Sequence, residues 1–182
     1  MPETIQIIAS CIRGDENAFR SLFRRYADFA FRVAFRIMHD EEESKDVVQE
    51  SFITVWDRIR DFEPDRKFSN WLYRIVVNKC FDALRKKKRM QLVYPGAGDW
   101  NLMELTGENG PDNRLENEET GRIIRRLTYS LSPKQKIVFV LSELEGLSHA
   151  DISDITGMGK TSVKSNLHHA RRKIGEQIKK YI

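Results

Sequence analysis

The sequence predicts an all-α protein with two helical domains joined by a flexible acidic linker. Three observations predict it. Apolar residues recur every three or four positions through most of the chain, and nowhere do they alternate long enough for a strand. From Gln91 to Asn117 that period dissolves among Pro95, Gly96, Gly98, Gly107, Gly110 and Pro111. Charge divides along the same lines. Residues 1–92 carry 18 Lys/Arg against 15 Asp/Glu, residues 93–119 one against seven, and residues 120–182 12 against five. A long structureless loop is unusual inside one domain, so the middle is read as a tether. The expected division is 1–92, linker 93–117, and 118–182.

The first helix covers residues 3–13, and Gly14 ends it. Asp15 caps a second, in which Phe19, Leu22, Phe23, Tyr26, Phe29, Ala30, Val33 and Ile37 keep helical spacing to about Met38. Asp40 and Glu41 to Glu43 suit the N-terminus of a third, which carries Val47, Val48, Phe52, Val55, Trp56 and Ile59. Pro64 requires a loop over Phe62 to Lys67. Ser69 is expected to cap a fourth helix that carries Trp71, Leu72, Ile75, Val76, Cys80 and Leu84 and runs out into a basic end, Arg85 to Arg89. Within the linker, Trp100, Leu102, Met103 and Leu105 fit either a docking segment or a local packed helix. Helix resumes near Leu115, with Ile123, Ile124 and Leu127 expected to face a bundle.

The stretch from Leu131 to Ile174 carries the most local information. Ser132-Pro133 is a helix start, followed by Ile137, Val138, Leu141 and Leu144 at helical spacing and a stop at Gly146. Ser148 with Asp151 makes a second start, with Ile152 and Ile155 on one face. A glycine-rich turn, Thr156 to Gly159, precedes a long helix. There Val163, Leu167, Ala170, Ile174 and Ile178 point inward, while Lys164, His168, Arg171 and Arg172 share an outer face. A short helix, a tight turn and a helix with a basic outer face are the elements of a helix-turn-helix. A helical bundle with a solvated basic face shares much of the pattern.

Composition excludes several classes. With 40% hydrophobic and 32% charged residues, the chain has no apolar run near the roughly 18 residues that span a bilayer. Its start lacks a basic region before the apolar residues, so no signal peptide is expected. Cys11 and Cys80 are isolated within helical patterns and are read as buried thiols in a reducing compartment. The four histidines lack metal-ligand spacing, so neither metal nor cofactor is expected. Gly159-Lys160-Thr161 imitates the end of a phosphate-binding loop, but Asp154 stands where that motif needs glycine. No Ser, Cys or His lies beside a base, so no catalytic residues are assigned and the chain is not expected to be an enzyme.

Two surfaces of the N-terminal half differ in character. In ESKDVVQESFITVW, Asp46, Gln49, Glu50 and Asp57 form an acidic, amide-bearing face that suits a basic protein partner or is simply solvated. In FSNWLYRIVVNKCFDALRKKKR, Arg74, Asn78, Lys79 and Arg85 lie among Trp71, Tyr73 and Phe81. Basic groups neutralise phosphates, and an aromatic ring stacked on an unpaired base contributes about 1–3 kcal/mol. That mixture suits melted nucleic acid, though core aromatics and a dipole-favoured basic helix end explain it equally well.

Taken together, DVVQESFITVW, FSNWLYRIVVNKCFDALR, LSPKQKIVFVLSELEGLSHADISDITG and SVKSNLHHARRKI resemble the sigma-70 superfamily of bacterial RNA polymerase initiation factors. The likeness is greatest to the small extracytoplasmic-function (ECF) group. Ala18 to Arg89 looks like the sigma2 domain and Glu118 to Lys180 like sigma4. The resemblance implies a non-enzymatic factor that directs core polymerase to particular promoters and melts the −10 region. It implies that Asp46, Val47, Val48, Gln49, Glu50 and Phe52 bind the β′ clamp, with sigma4 meeting the β flap. Phe62, Phe68, Asn70, Trp71, Arg74 and Asn78 are implied in single-stranded −10 DNA, the Phe62–Phe68 loop capturing a flipped base. Lys164, Ser165, His168, Arg171 and Arg172 are implied in the −35 major groove. The acidic linker would pass near the polymerase active site. An anti-sigma partner and a cytoplasmic location, with sequestration at the inner membrane but no membrane insertion, are implied as well. Asn166, His169 and Lys160-Thr161-Ser162 depart from common family residues. A repressor or activator using the same helix-turn-helix, and an adaptor mimicking one sigma domain, remain alternatives.

Overall fold

The computed structural model describes residues 2–93, 123 and 126–179. In chain order the long elements are α1 (Pro2–Ile12), α2 (Glu16–Met38), α3 (Glu41–Arg58), α4 (Phe68–Val93), α5 (Pro133–Phe139), α6 (His149–Thr156) and α7 (Lys160–Ile178). No strand occurs among the described residues. The expected linker segment Trp100–Leu105, and the helix restart near Leu115, lie outside them.

The chain divides into two compact units, Met1–Cys80 and Phe81–Ile182. The division falls within α4. Phe68, Leu72, Val76, Val77 and Cys80 in its first half are buried, whereas none of its residues after Cys80 is.

Capping sets the register of the first unit. Gly14 turns the chain at φ +88°, and the Asp15 carboxylate accepts hydrogen bonds from the Asn17 and Ala18 N–H groups at 2.9 and 3.1 Å. α2 ends at His39, which adopts the left-handed region at φ 54° and donates its N–H to the Phe35 carbonyl at 2.8 Å. Asp40 caps α3 by accepting from Glu43 N–H at 2.9 Å, and three glutamates occupy the first turn. A single 3₁₀ turn, Ile59–Asp61, leads into the loop. Ser69 does not cap α4, which corrects the expectation. The helix begins at Phe68, and the Lys67 carbonyl accepts from Asn70 and Trp71 N–H. Burial of the Phe68 ring draws its residue into the first turn, so the capping position moves upstream.

An aromatic seam joins the helices of this unit. Phe19 and Phe23 of α2 meet Trp56 and Phe52 of α3 edge-on at 4.8 and 4.7 Å between ring centres. One and two turns further along α2, Tyr26 meets Phe68 at 4.8 Å and Phe29 meets Tyr73 at 6.3 Å. Such edge-to-face pairs add roughly 0.5–1.5 kcal/mol each beyond the area they bury. α2 is therefore the spine on which α3 and α4 hang. Cys11 and Cys80 are buried free thiols, and burial pushes Cys11 above its ordinary pKa.

Reciprocal capping boxes start α5 and α6. Ser132 accepts from Gln135 N–H while the Gln135 side chain accepts from Ser132 N–H, and Ser148 and Asp151 repeat the arrangement. After α5 the helix widens into a π turn over Val140–Leu144, with Glu145 N–H donating to the Val140 carbonyl at 3.1 Å. Gly146 and Gly157 take positive φ at the following turns. Val163, Leu167, Ala170 and Ile174 of α7 are buried as expected. Three expectations are corrected. Leu144 and Ile178 are each 40% exposed, and Ile123 is also exposed. The π turn rotates Leu144 off the stripe that Ile137 and Leu141 follow. Ile178 lies one turn beyond the cluster of Leu131, Ala170 and Ile174 against which Leu127 and Phe139 pack.

Phe68→Ala is expected to destabilise the N-terminal unit by about 3–5 kcal/mol in urea unfolding, by loss of both area and ring contacts. A loss below 1 kcal/mol would mean that the ring is not part of the seam.

Candidate nucleic-acid interface

Three surfaces gather the residues that the sequence singles out. On α3, the polar ones and the apolar ones separate cleanly. Asp46, Gln49 and Glu50 are exposed on one face with Asp57, whereas Val47, Val48 and Phe52 are buried beneath it. Ile53, absent from the expected set, is 62% exposed at the centre of the same face. Its signal in the sequence is an isoleucine off the core stripe, flanked at helical spacing by Asp46, Gln49, Glu50 and Asp57. An exposed branched apolar residue within a ring of acids and amides has the form of an interface centre with a polar rim. Glu50 also lies 3.9 Å from Lys79 of α4.

The loop and the start of α4 form the second surface. Phe62 and Phe68 are 5% and 4% exposed, so neither ring offers a face to a base in this conformation. They pack instead with the half-buried Trp71, ring centres 5.5–5.8 Å apart in all three pairings. Asn70, Arg74 and Asn78, four residues apart, form an exposed polar row beside that cluster. The loop closes through Arg66, whose N–H donates to the Glu63 carbonyl at 3.0 Å and whose guanidinium lies 2.6 Å from the Glu63 carboxylate. Beside it is a cleft of about 400 Å³, within the usual range for small-ligand sites. The buried phenylalanines thus hold the loop, and the exposed row and cleft are what a strand can touch.

α7 presents the third surface. Lys164, Ser165, His168, Arg171 and Arg172 are all exposed. The turn before it is fastened by Ser153 and Thr156, whose hydroxyls donate to the Met158 and Ile152 carbonyls at 2.6 Å each. Asn166 is half-buried and donates to the Ser162 carbonyl at 2.8 Å, so its amide is engaged within its own helix. Arg171 is tied across to Glu143 at 2.7 Å. The π turn presents that glutamate, and sequence periodicity misses it because an ordinary helix is assumed there. Asp154 sits on α6 and Gly159 precedes α7, so no phosphate-binding loop forms at Lys160. Among the described residues no group of three metal-ligating side chains converges, and no helix is long and apolar enough to cross a membrane.

The family model "Sigma-70 region 2" matches residues 22–90, and "Sigma-70, region 4" matches residues 121–174. The ECF RNA polymerase sigma-E factor of Haemophilus influenzae is 31% identical over 171 residues, covering 91% of this chain and 90% of its own. The chain belongs to the ECF group of the sigma-70 family. This sigma factor therefore acts in promoter-specific transcription initiation by RNA polymerase, in a family of non-catalytic initiation factors. The ECF sigma factor SigW of Bacillus subtilis is 28% identical over 172 residues, 92% of each chain. In fold, the sigma factor is similar to Bartonella quintana RpoE, solved with the anti-sigma factor NepR, at a TM-score of 0.59 and 20% identity over 88% of this chain and 96% of that one. CnrH, solved with the cytosolic domain of CnrY, gives 0.58 at 24% identity over 96% of each.

The Arg171–Glu143 pair is exposed, and such pairs contribute about 0.2–1 kcal/mol. Glu143→Gln is expected to leave urea stability within that margin while tightening duplex binding, because a negative charge beside α7 is removed. Anisotropy titrations at two salt concentrations check both the direction and its screening.

Proposed function

We propose that the three surfaces divide the work of initiation between the two units. The face of α3, Asp46, Gln49, Glu50 and Ile53, docks on the β′ clamp of core polymerase, with Val47, Val48 and Phe52 setting the helix from beneath. The Phe62–Phe68 loop and Asn70, Trp71, Arg74 and Asn78 receive the melted −10 strand. Trp71 is the half-buried aromatic at their border. Lys164, Ser165, His168, Arg171 and Arg172 enter the −35 major groove, and the remaining sigma4 surface meets the β flap. The single observation that carries this reading is the coexistence of the α3 face and the basic α7 face in one chain. A repressor needs the second but not the first.

On this reading the protein works in the cytoplasm, with no chemistry of its own. An anti-sigma protein is the natural regulator, since Bartonella quintana RpoE, similar in fold, is found with one. Within α7, Lys and Arg can pair with guanine edges, whereas Ser165 sets register on phosphate.

Run-off transcription on genomic DNA with purified core polymerase tests the reading directly. New start sites are expected only when the protein is added. Duplex binding without any new start would instead favour a repressor. For the clamp face, Asp46→Lys and Ile53→Asp are expected to weaken polymerase binding by roughly tenfold or more, equivalent to about 1.4 kcal/mol, with unfolding unchanged. Lys164→Ala and Arg171→Ala are expected to lose about 1–3 kcal/mol only on promoters that carry the preferred −35 base. A uniform loss across promoters would reassign both to phosphate.

A further inference from the structure

The cleft beside the −10 loop has a wall that the region 2 match, residues 22–90, does not include. Thr4, Ile5 and Ile8 of α1 line it together with Arg25 and Tyr26 of α2, Phe62, and the residues from Pro64 to Ser69. α1 is tied to α2 at two points. Glu3 accepts from the Arg25 guanidinium at 2.8 Å, and Thr4 Oγ1 lies 3.4 Å from the Tyr26 hydroxyl. Tyr26 in turn holds Phe68, the first residue of α4. Any displacement of α1 therefore changes both the width of the cleft and the support of the loop.

The cleft is also suited chemically to one occupant. Ile5 is 42% exposed, an apolar side chain left in solvent where the wall faces the loop. An exposed apolar side chain in a cleft gives an unstacked base surface on which to leave water. Around it lie Arg25, Arg66 and Lys67, with Asp65 as the opposing carboxylate. Arg66 is held by Glu63 in an exposed pair, which a phosphate can exchange at small cost.

We infer that α1 is a specificity-determining wall of the −10 site: Ile5 and Thr4 bound the space in which the loop receives one unstacked base, and Glu3–Arg25 positions that wall. The inference rests on the −10 assignment of the Phe62–Phe68 loop. Ile5 is a determinant of which base fits, and Glu3 is a positioning residue that touches no DNA.

The test uses holoenzyme, assembled from core polymerase and the full chain, transcribing a promoter library randomised through the −10 element. Ile5→Trp narrows the cleft and is expected to lower open-complex formation by about tenfold, purines at the captured position suffering most. Ile5→Ala widens it and should shift the ranking of the four bases toward purines. Because Ile5 is exposed, both variants should retain parental unfolding and polymerase affinity, which are measured alongside. Lys67→Ala and Asp65→Ala in the loop serve as the reference. If the loop variants change the base ranking and the Ile5 variants do not, the α1 inference is overturned while the loop assignment stands. If neither pair changes it, both fall. A change in ranking with Ile5→Ala and Ile5→Trp in opposite senses supports it.

Discussion

The edge-on contact between Tyr26 and Phe68 is the interaction on which the N-terminal unit depends most. It joins the spine helix to the first residue of the helix that bears the exposed row Asn70, Arg74 and Asn78. Phe62 and Trp71 close around the same ring, so the loop between them has both ends anchored in one aromatic cluster. Without that anchorage a loop containing Pro64 and four charged residues has little reason to hold one shape. With it, the ends are fixed and only the middle, Glu63 to Lys67, stays in solvent. The proposed −10 role would use both properties, since reading a base requires a shaped loop and admitting a strand requires an exposed one.

Most of the helices were legible because each begins with a capping side chain and keeps one apolar stripe. Asp15, Asp40, Ser132 and Ser148 all cap as their positions predict, since a side-chain oxygen meeting the first free N–H groups is a local matter. What was not legible is tertiary. The end of α2 near Met38 is legible, but not the left-handed conformation, usually taken by glycine or asparagine, in which His39 makes it. The start of α4 shifts to Phe68 because the ring is pulled into the core, and packing outweighs a serine cap. The π turn after Phe139 breaks the period of 3.6 and leaves Leu144 in solvent.

The site shows the same boundary between local and tertiary information. Polar residues at helical spacing, such as Lys164, His168 and Arg171, were correctly placed outward because periodicity fixes a face. The aromatic residues were harder. Phe62, Phe68 and Trp71 have equal claims in a sequence to stack on a base or to pack in a core, and only the fold separates them. Ile53 illustrates the converse. Its exposure follows from the α3 face it occupies, and an apolar residue in a row of acids means little until the row is known to be a surface. The Arg171–Glu143 contact joins elements 28 positions apart and has no local trace.

The aromatic seam has an optical consequence. Two of the three tryptophans, Trp56 and Trp71, are built into it, one against Phe19 beneath the α3 face and one against Phe62 and Phe68 at the loop. Each indole is half-buried against neighbouring rings, so its emission responds to what covers its own part of the seam. With Trp100 replaced by phenylalanine, the two emissions become separate internal gauges of clamp docking and strand capture, and no dye need be attached to either binding face.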